Sequence, residues 1–452
     1  MSEVAEISSK YLTNAAMNAV PIGYKQTEVG VIPEDWTSKQ LQKVFSLKNG
    51  YSFKGEFFSR TGPIVLTPGN FKLDGGLYFE DRNTKRYSSN YPKDYEFDNG
   101  DLVIVMTDLT PDCNLLGKPA FVDSNEKILH NQRIGKVVGL NSGWDFNFLF
   151  YTLLSPSYLS AVKNAATGST VRHTSPKTIA SAWVAEPPIR EQTAIANALS
   201  DVDALISELE KLIAKKQAIK TATMQQLLTG RTRLPEFALR EDGTPKGTKL
   251  SELGEIPKDW DVLRLGNLAK FFKGSGLPKS ELLESGRIKC IHYGQLFTTY
   301  GPKIERVISR TKQAGTVTSQ ENDVLMPTSD VTPNGLATAS CITESGVILG
   351  GDILIIRADK KKLNGIFFSY LVNILRDQVM QLVTGSTVYH LYGSDMAKFE
   401  FPFPSNEEQV AIATILSDMD EELQVLEQRL SKTRQIKQGM MQELLTGRTR
   451  LI

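Results

Sequence analysis

Two histidines of this 452-residue chain sit in the same setting: His173 closes the run TGSTVRH from Thr167, and His390 closes TGSTVYH from Thr384. An imidazole in a loop can meet phosphate or a base edge, move a proton or ligate a metal; the plainer alternative is a ring held by hydrogen bonds in a tight turn. His130 and His292 stand apart, so the four do not compose a metal cage. Each catalytic pattern lacks a part. GKP at Gly117 and KGTK at Lys246 miss the spaced glycine, and the Ser or Thr after GK, of a phosphate loop. KGSGLP from Lys273 has two glycines of a dinucleotide fingerprint and then a proline, and EPPI from Glu186 is the nearest string to the [DN]PP[YF] loop that holds a target amine. Pro111 and Asp112 open a metal-nuclease pattern that the adjacent Glu126 and Lys127 do not complete, and neither GxSxG nor HExxH occurs. Cys113, Cys290 and Cys341 are odd in number and scattered, which fits reduced thiols better than disulfides or a zinc cluster. The expectation is a chain with no catalytic residues, metal or cofactor of its own.

What positions the two histidines is written twice. Residues 167–234 align on 384–451 without a gap at a shift of 217, with 32 of 68 pairs identical. The matched blocks are the TGSTV loops, EQTAIANALSDVD at Glu191 against EQVAIATILSDMD at Glu408, and two copies of LLTGRTRL. Upstream, EVGVIPEDW from Glu28 mirrors ELGEIPKDW from Glu252, and GDLVIVMTDLTPD from Gly100 faces NDVLMPTSDVTPN from Asn322. The plan is anchor, variable body and helical tail, repeated.

The tails carry a heptad seam. Its apolar positions include Leu199, Val202, Ile206, Leu209 and Ile213 in the first copy and Leu416, Met419, Leu423, Leu426 and Leu430 in the second, for pairing or partner docking. Pro187 and Pro188 precede the first helix; Ser405 with Glu408 reads as a capping box for the second; Gly230 and Gly447 stand where helices end. Some 36 residues give a rod of roughly 55 Å. Such a rod cannot bury its seam alone, so the two are expected to pair antiparallel; two separate helices on separate domains are the alternative. Acidic residues from Glu191 and basic ones from Lys211 to Arg233 complement the helix dipole, while Arg231, Arg233, Arg448 and Arg450 are candidates for a nucleic-acid backbone.

The bodies read as mixed strand and helix. LVIVM from Leu102, GKVVGL from Gly135, DVLMP from Asp323 and VILGGDILIIR from Val347 are strand-like. The segments from Phe146 (FNFLFYTLLSPSYLSAVKNAA) and Gly365 (GIFFSYLVNILRDQVMQLV) read as helices that pack on the sheets. A net charge of +1 confines any anionic partner to local patches. With no membrane-length apolar run and no secretion signal at the start, a cytoplasmic protein is expected.

In this order the motifs PEDW or PKDW, TDLTPD or SDVTPN, TGSTVxH, EQxAIAxxLSDxD and QxLLTGRTRL resemble the specificity subunit of type I restriction-modification systems, from about Glu28 onward. The resemblance implies an α+β fold: two mixed α/β target recognition domains joined by two long antiparallel coiled-coil helices, with a pseudo-twofold internal repeat. It implies a non-catalytic subunit that reads a bipartite, asymmetric double-stranded DNA site, its helices setting the spacer and docking two modification subunits. S-adenosylmethionine, ATP and Mg then belong to the methyltransferase and the restriction or translocase partners. The expected division is an extension over 1–27, first recognition domain 28–189, central helix 190–230, connector 231–251, second recognition domain 252–406, C-terminal helix 407–447 and tail 448–452. DNA contacts are expected from Asn131, Gln132, Arg133, Arg172, His173 and Lys177, and from Tyr389 and His390, with Asn131 and Gln132 alternatively capping a turn; Thr107, Asp108, Ser329 and Asp330 are expected to bond backbone. Two other readings stay open: an adenine N6 methyltransferase with an unrecognised catalytic loop, and a coiled-coil scaffold that does not bind DNA.

Overall fold

The computed structural model describes residues 20–108, 112–168 and 171–451. Most of the expected extension, three residues of TDLTPD, two of TGSTVRH and Ile452 of the tail lie outside them. The chain forms two compact units, Leu209–Arg429 and the residues up to Glu208 together with those from Leu430 on. Each unit therefore holds a body and a part of both long helices, Ile189–Leu228 and Asn406–Leu444.

In the first unit an antiparallel sheet runs in the order Ser46–Asn49, Ile134–Val138, Leu102–Val105, Pro119–Phe121. The run Leu102–Val105 is apolar throughout because both faces are covered. Leu102 and Ile104 face a core holding Phe148, Leu149, Tyr158 and Val162, whereas Val103 and Val105 face a second core around Ile64, Phe71 and Ile128. The second unit repeats the device in a five-stranded sheet ordered Ala269–Lys273, Ile353–Ala358, Val324–Pro327, Ser340–Ile342, Lys303–Ile304. There Val324, Met326, Leu354 and Ile356 share a core with Phe367 and Phe368, while Leu325, Ile353 and Ile355 meet Ile291 and Ile304.

The helical segments of the bodies are each broken in two. Ser155 caps a new start with Pro156 in its first turn, dividing Phe146–Thr152 from Pro156–Asn164. Leu375 leaves helical geometry (φ −94°, ψ 26°) between Gly365–Ile374 and Arg376–Leu382. The domain edges also differ from the sequence reading. Tyr24–Thr27 pairs with Gly30–Pro33, and Thr248–Ser251 with Gly254–Pro257, so a hairpin spans the boundary expected at 27/28 and another that at 251/252.

His130 is 1% exposed, its Nε2 2.8 Å from the Ile134 carbonyl and its ring 4.6 Å from that of Phe97. Burial is the main force pulling its pKa down from 6.5 to about 4. The unfolded chain binds this proton below pH 6.5 and the folded one only near 4, so stability present above 6.5 is lost as pH falls through that window. At about 1.4 kcal/mol per unit the loss is roughly 3 kcal/mol between pH 6.5 and 4. His130→Gln should flatten that part of a denaturation-versus-pH profile; an unchanged slope would assign it to other groups.

Within each unit the two helices run antiparallel. In the first, ascending Glu191 and Asp203 meet descending Arg450 and Lys437, at 2.7 and 2.6 Å. In the second, Lys216 meets Glu422 at 2.7 Å, Lys220 meets Asp420, and Arg233 meets Glu408 at 2.6 Å. The seam is packed accordingly: Leu199, Ile206, Leu209, Leu416 and Leu423 are buried, and Val202, Ile213, Met419, Leu426 and Leu430 half-buried. The basic half of the central helix is thus more than a dipole-matched solvated face, since Lys216 and Lys220 are spent on carboxylates of the other helix.

Candidate nucleic-acid interface

The repeated motifs first build a frame. The Trp36 indole donates to Glu191 Oε2 at 2.9 Å, and the Arg450 guanidinium forks onto Glu191 (2.7 and 2.8 Å) and Asp35 (3.0 and 2.7 Å). In the second unit Trp260 donates to Glu408 at 2.9 Å while Arg233 holds Glu408 (2.9 and 2.6 Å) and Asp259 (2.6 and 3.2 Å). Both glutamates and both tryptophans are buried. Taking a carboxylate out of water costs several kcal/mol, which only this complete hydrogen-bond set offsets. Arg233 and Arg450, two of the four candidates for a nucleic-acid backbone, are therefore occupied by carboxylates inside their units; Arg231 and Arg448 stay exposed. The same bonds undo half of the expected capping box: the Ser405 hydroxyl accepts from the Glu408 amide at 3.3 Å, but the Glu408 carboxylate goes to Arg233 and Trp260.

The next residue in each motif ties the helix to its body. Gln192 donates to the Gly143 and Pro187 carbonyls and accepts from the Asp145 amide; Gln409 does the same with Lys362, Pro404 and Asn364. Farther along, Asp203 takes the Tyr151 hydroxyl at 2.8 Å, and Asp420 that of Tyr370 at 2.5 Å. Burial, and then the neighbouring aspartate, hold both phenols well above their usual pKa, so they remain donors.

On this frame each unit mounts one small antiparallel pair, Thr107–Asp108 with Arg172–His173 and Ser329–Asp330 with Tyr389–His390. His173 Nδ1 lies 3.1 Å from Thr107 Oγ1, and His390 Nδ1 lies 3.0 Å from Ser329 Oγ. One ring nitrogen is thus fixed to a hydroxyl, and Nε2 has no protein partner among the described residues. The hydroxyls bond the rings, not the backbone as expected. Asp108 and Asp330 do accept backbone amides, from Leu115 at 2.6 Å and Val331 at 2.7 Å. Gly168 and Gly385 turn the loops with φ of +97° and +114°, where a β-carbon would stand 2.1 to 2.2 Å from a backbone oxygen.

Of the other expected contacts, Arg172 is half-buried, its Nη1 3.0 Å from the Gly168 carbonyl and its Nε without a partner. Lys177, Gln132 and Arg133 are exposed, and Tyr389 is half-buried. Asn131 is buried, and its Oδ1 accepts the Arg133 amide at 2.9 Å, which makes it a turn holder. The fold brings Arg172, His173 and Thr107 together, and the turn of Asn131, Gln132 and Arg133 adjoins them, the Arg133 carbonyl accepting from the Met106 amide at 2.9 Å. The clamp of Trp, Glu and Arg escaped the sequence reading, although its three residues recur in both halves and were the available signal.

The family model described as the type I restriction modification DNA specificity domain matches residues 33–221 and again 257–435. This chain belongs to that family. It is 26% identical over 444 residues to the putative type I restriction enzyme MjaX specificity subunit of Methanocaldococcus jannaschii, covering 95% of this chain and 97% of the relative. It is 26% identical over 311 residues to the EcoBI specificity subunit of Escherichia coli, covering 65% and 60%. Its fold is similar to that of the crystal structure of a type I restriction-modification S subunit from M. genitalium (TM-score 0.57, 16% identity, 90% and 96% of the two chains). Membership of the specificity family makes this the DNA-recognition subunit of a restriction-modification complex, and it sets aside the methyltransferase and scaffold readings. Among the described residues no helix is long and apolar enough to cross a membrane.

Proposed function

We propose that each unit reads one half of a split DNA site, through the face carrying His173 and Arg172 in the first and His390 and Tyr389 in the second. The supporting observation is the contrast between matched frames and unmatched outward residues on equivalent hairpins. In the proposed division, the hairpins beginning at Tyr24 and Thr248 open the recognition domains, and Ile189–Leu228 and Asn406–Leu444 are the conserved helices. The helices set the spacer and dock two modification subunits. In the second unit Leu212 and Ile219, seven apart and about 40% exposed, offer such a partner apolar contacts. S-adenosylmethionine binds in those subunits, ATP and Mg serve restriction or translocase subunits, and the complex works in the cytoplasm.

Modified-base sequencing of the host tests the proposal: a bipartite motif with an unread gap is expected, and a continuous motif would refute it. Arg172→Ala should weaken binding to the first half-site by about 1 to 3 kcal/mol in a gel shift and leave the second half-site alone; equal affinity at every salt concentration would remove Arg172 from the interface. Lengthening the spacer requires matched heptads in both helices. Seven residues in one alone would pull Lys216 and Lys220 out of register with Glu422 and Asp420.

A further inference from the structure

The second unit holds a cavity of about 500 Å³ beside its histidine hairpin, on the edge strand Ala269–Lys273. Phe272, Lys273, Thr328, Asp352, His390 and Tyr392 line it. Thr328 is 9% exposed, and its hydroxyl oxygen is closed to solvent. Two aromatic side chains, Phe272 and Tyr392, stay 42% and 54% exposed on its walls. Lys273 and Asp352 stand 3.6 Å apart with their side chains 67% and 47% exposed. A salt bridge so open contributes little to stability, so stability does not account for it.

The chemistry of the lining discriminates between ligands. A phosphate presents only acceptors and would be repelled by Asp352. A base pair presents both kinds of group: in A·T the adenine N6 donor lies between the N7 and thymine O4 acceptors, whereas in G·C guanine N7 and O6 accept side by side next to the N4 amine of cytosine, so an ammonium meets two adjacent acceptors only in G·C. An ammonium and a carboxylate side by side complement that arrangement. Apolar walls exclude water once DNA is seated and strengthen both contacts.

At the equivalent positions the first unit differs. Lys48 stands for Phe272, Asn49 for Lys273 and Ser175 for Tyr392. Lys48 is turned onto its own body, 2.6 Å from the Asp94 carbonyl and 5.1 Å from the centre of the Tyr95 ring. The two bodies thus diverge at the place where the histidine hairpin leaves off.

We infer that this cavity reads one G·C base pair of the half-site assigned to the second unit, Lys273 donating to guanine and Asp352 accepting from cytosine N4. His390 Nε2 supplies a further polar contact. The inference rests on the proposed division of the site between the two units.

The test is the methylation motif written by the assembled complex carrying Lys273→Gln or Asp352→Asn, both surface changes that leave the cores intact. One G·C position of the second half-site should relax, with about tenfold loss of preference, while the first half-site and spacer persist. In gel shifts with duplexes in which each second-half G·C is changed to A·T, the parent complex should discriminate at one position and the variants should not. A variant motif identical to the parent's, or relaxation confined to the first half-site, overturns the inference. A parent complex that writes no bipartite motif overturns the proposed function as well, and so separates the two failures.

Discussion

Glu191→Ala is expected to lower the unfolding free energy of the first unit by about 1 to 3 kcal/mol, because it leaves the buried Trp36 indole without its acceptor and the Arg450 guanidinium with Asp35 alone. Glu408→Ala should do the same to the second unit, through Arg233 and Trp260. The outer carboxylate is the internal control. Asp35 is 54% exposed, and its loss should cost no more than about 1 kcal/mol. Urea denaturation followed by tryptophan fluorescence reads Trp36 and Trp260 together with Trp144 and Trp183. Equal midpoints for Glu191→Ala and Asp35→Ala would mean that the buried carboxylate is not the centre of the clamp. Arg450→Lys should fall between, since an ammonium keeps the charge but cannot fork onto two carboxylates.

Gly447→Val should be at least as damaging, by a different route. Gly447 holds φ at +70°, and a β-carbon there would stand 2.5 Å from Pro33 and 3.2 Å from Trp36. Left-handed backbone costs an L-residue about 1 to 2 kcal/mol, and forcing volume against packed atoms adds about 1 to 3 kcal/mol. Gly230 is placed alike, with φ +71° and 2.4 Å from Pro257. Gly254, with φ +95° and nothing within 4 Å, separates the two terms, because valine there pays only the backbone part. If Gly447→Val and Gly254→Val shift the denaturation midpoint equally, the close approach to Pro33 and Trp36 contributes nothing.

Both predictions bear on why LLTGRTRL occurs twice. Each copy ends a helix on a left-handed glycine pressed against the proline of an IPxDW anchor, then sends an arginine to the aspartate beside that anchor's tryptophan and to the glutamate that opens the opposite helix. The repeat, its order and its heptad period were plain in the residues, as were the glycine helix ends. The destination of Arg233 and Arg450 was not. An exposed arginine near nucleic acid and one buried on a carboxylate look alike in a string, and Glu408 lies 175 residues from its partner, Glu191 259 residues from its own. The hairpin histidines were visible as a matched pair, but the hydroxyls that hold them come from strands 61 to 66 residues away. The sequence left Asn131 open between a turn cap and a DNA contact because a polar side chain buried in its own turn has the same composition as one that faces DNA.

Periodicity and internal repetition, which depend on neighbours along the chain, were enough to lead to two mixed bodies and two long helices, and the ordered motifs carried the family resemblance. Which charges are spent inside the frame and which are left for a partner depends on distances between residues far apart in the chain. Burial decides that question, because a carboxylate must find its full set of donors before it can leave water, and only the folded units bring those donors into place.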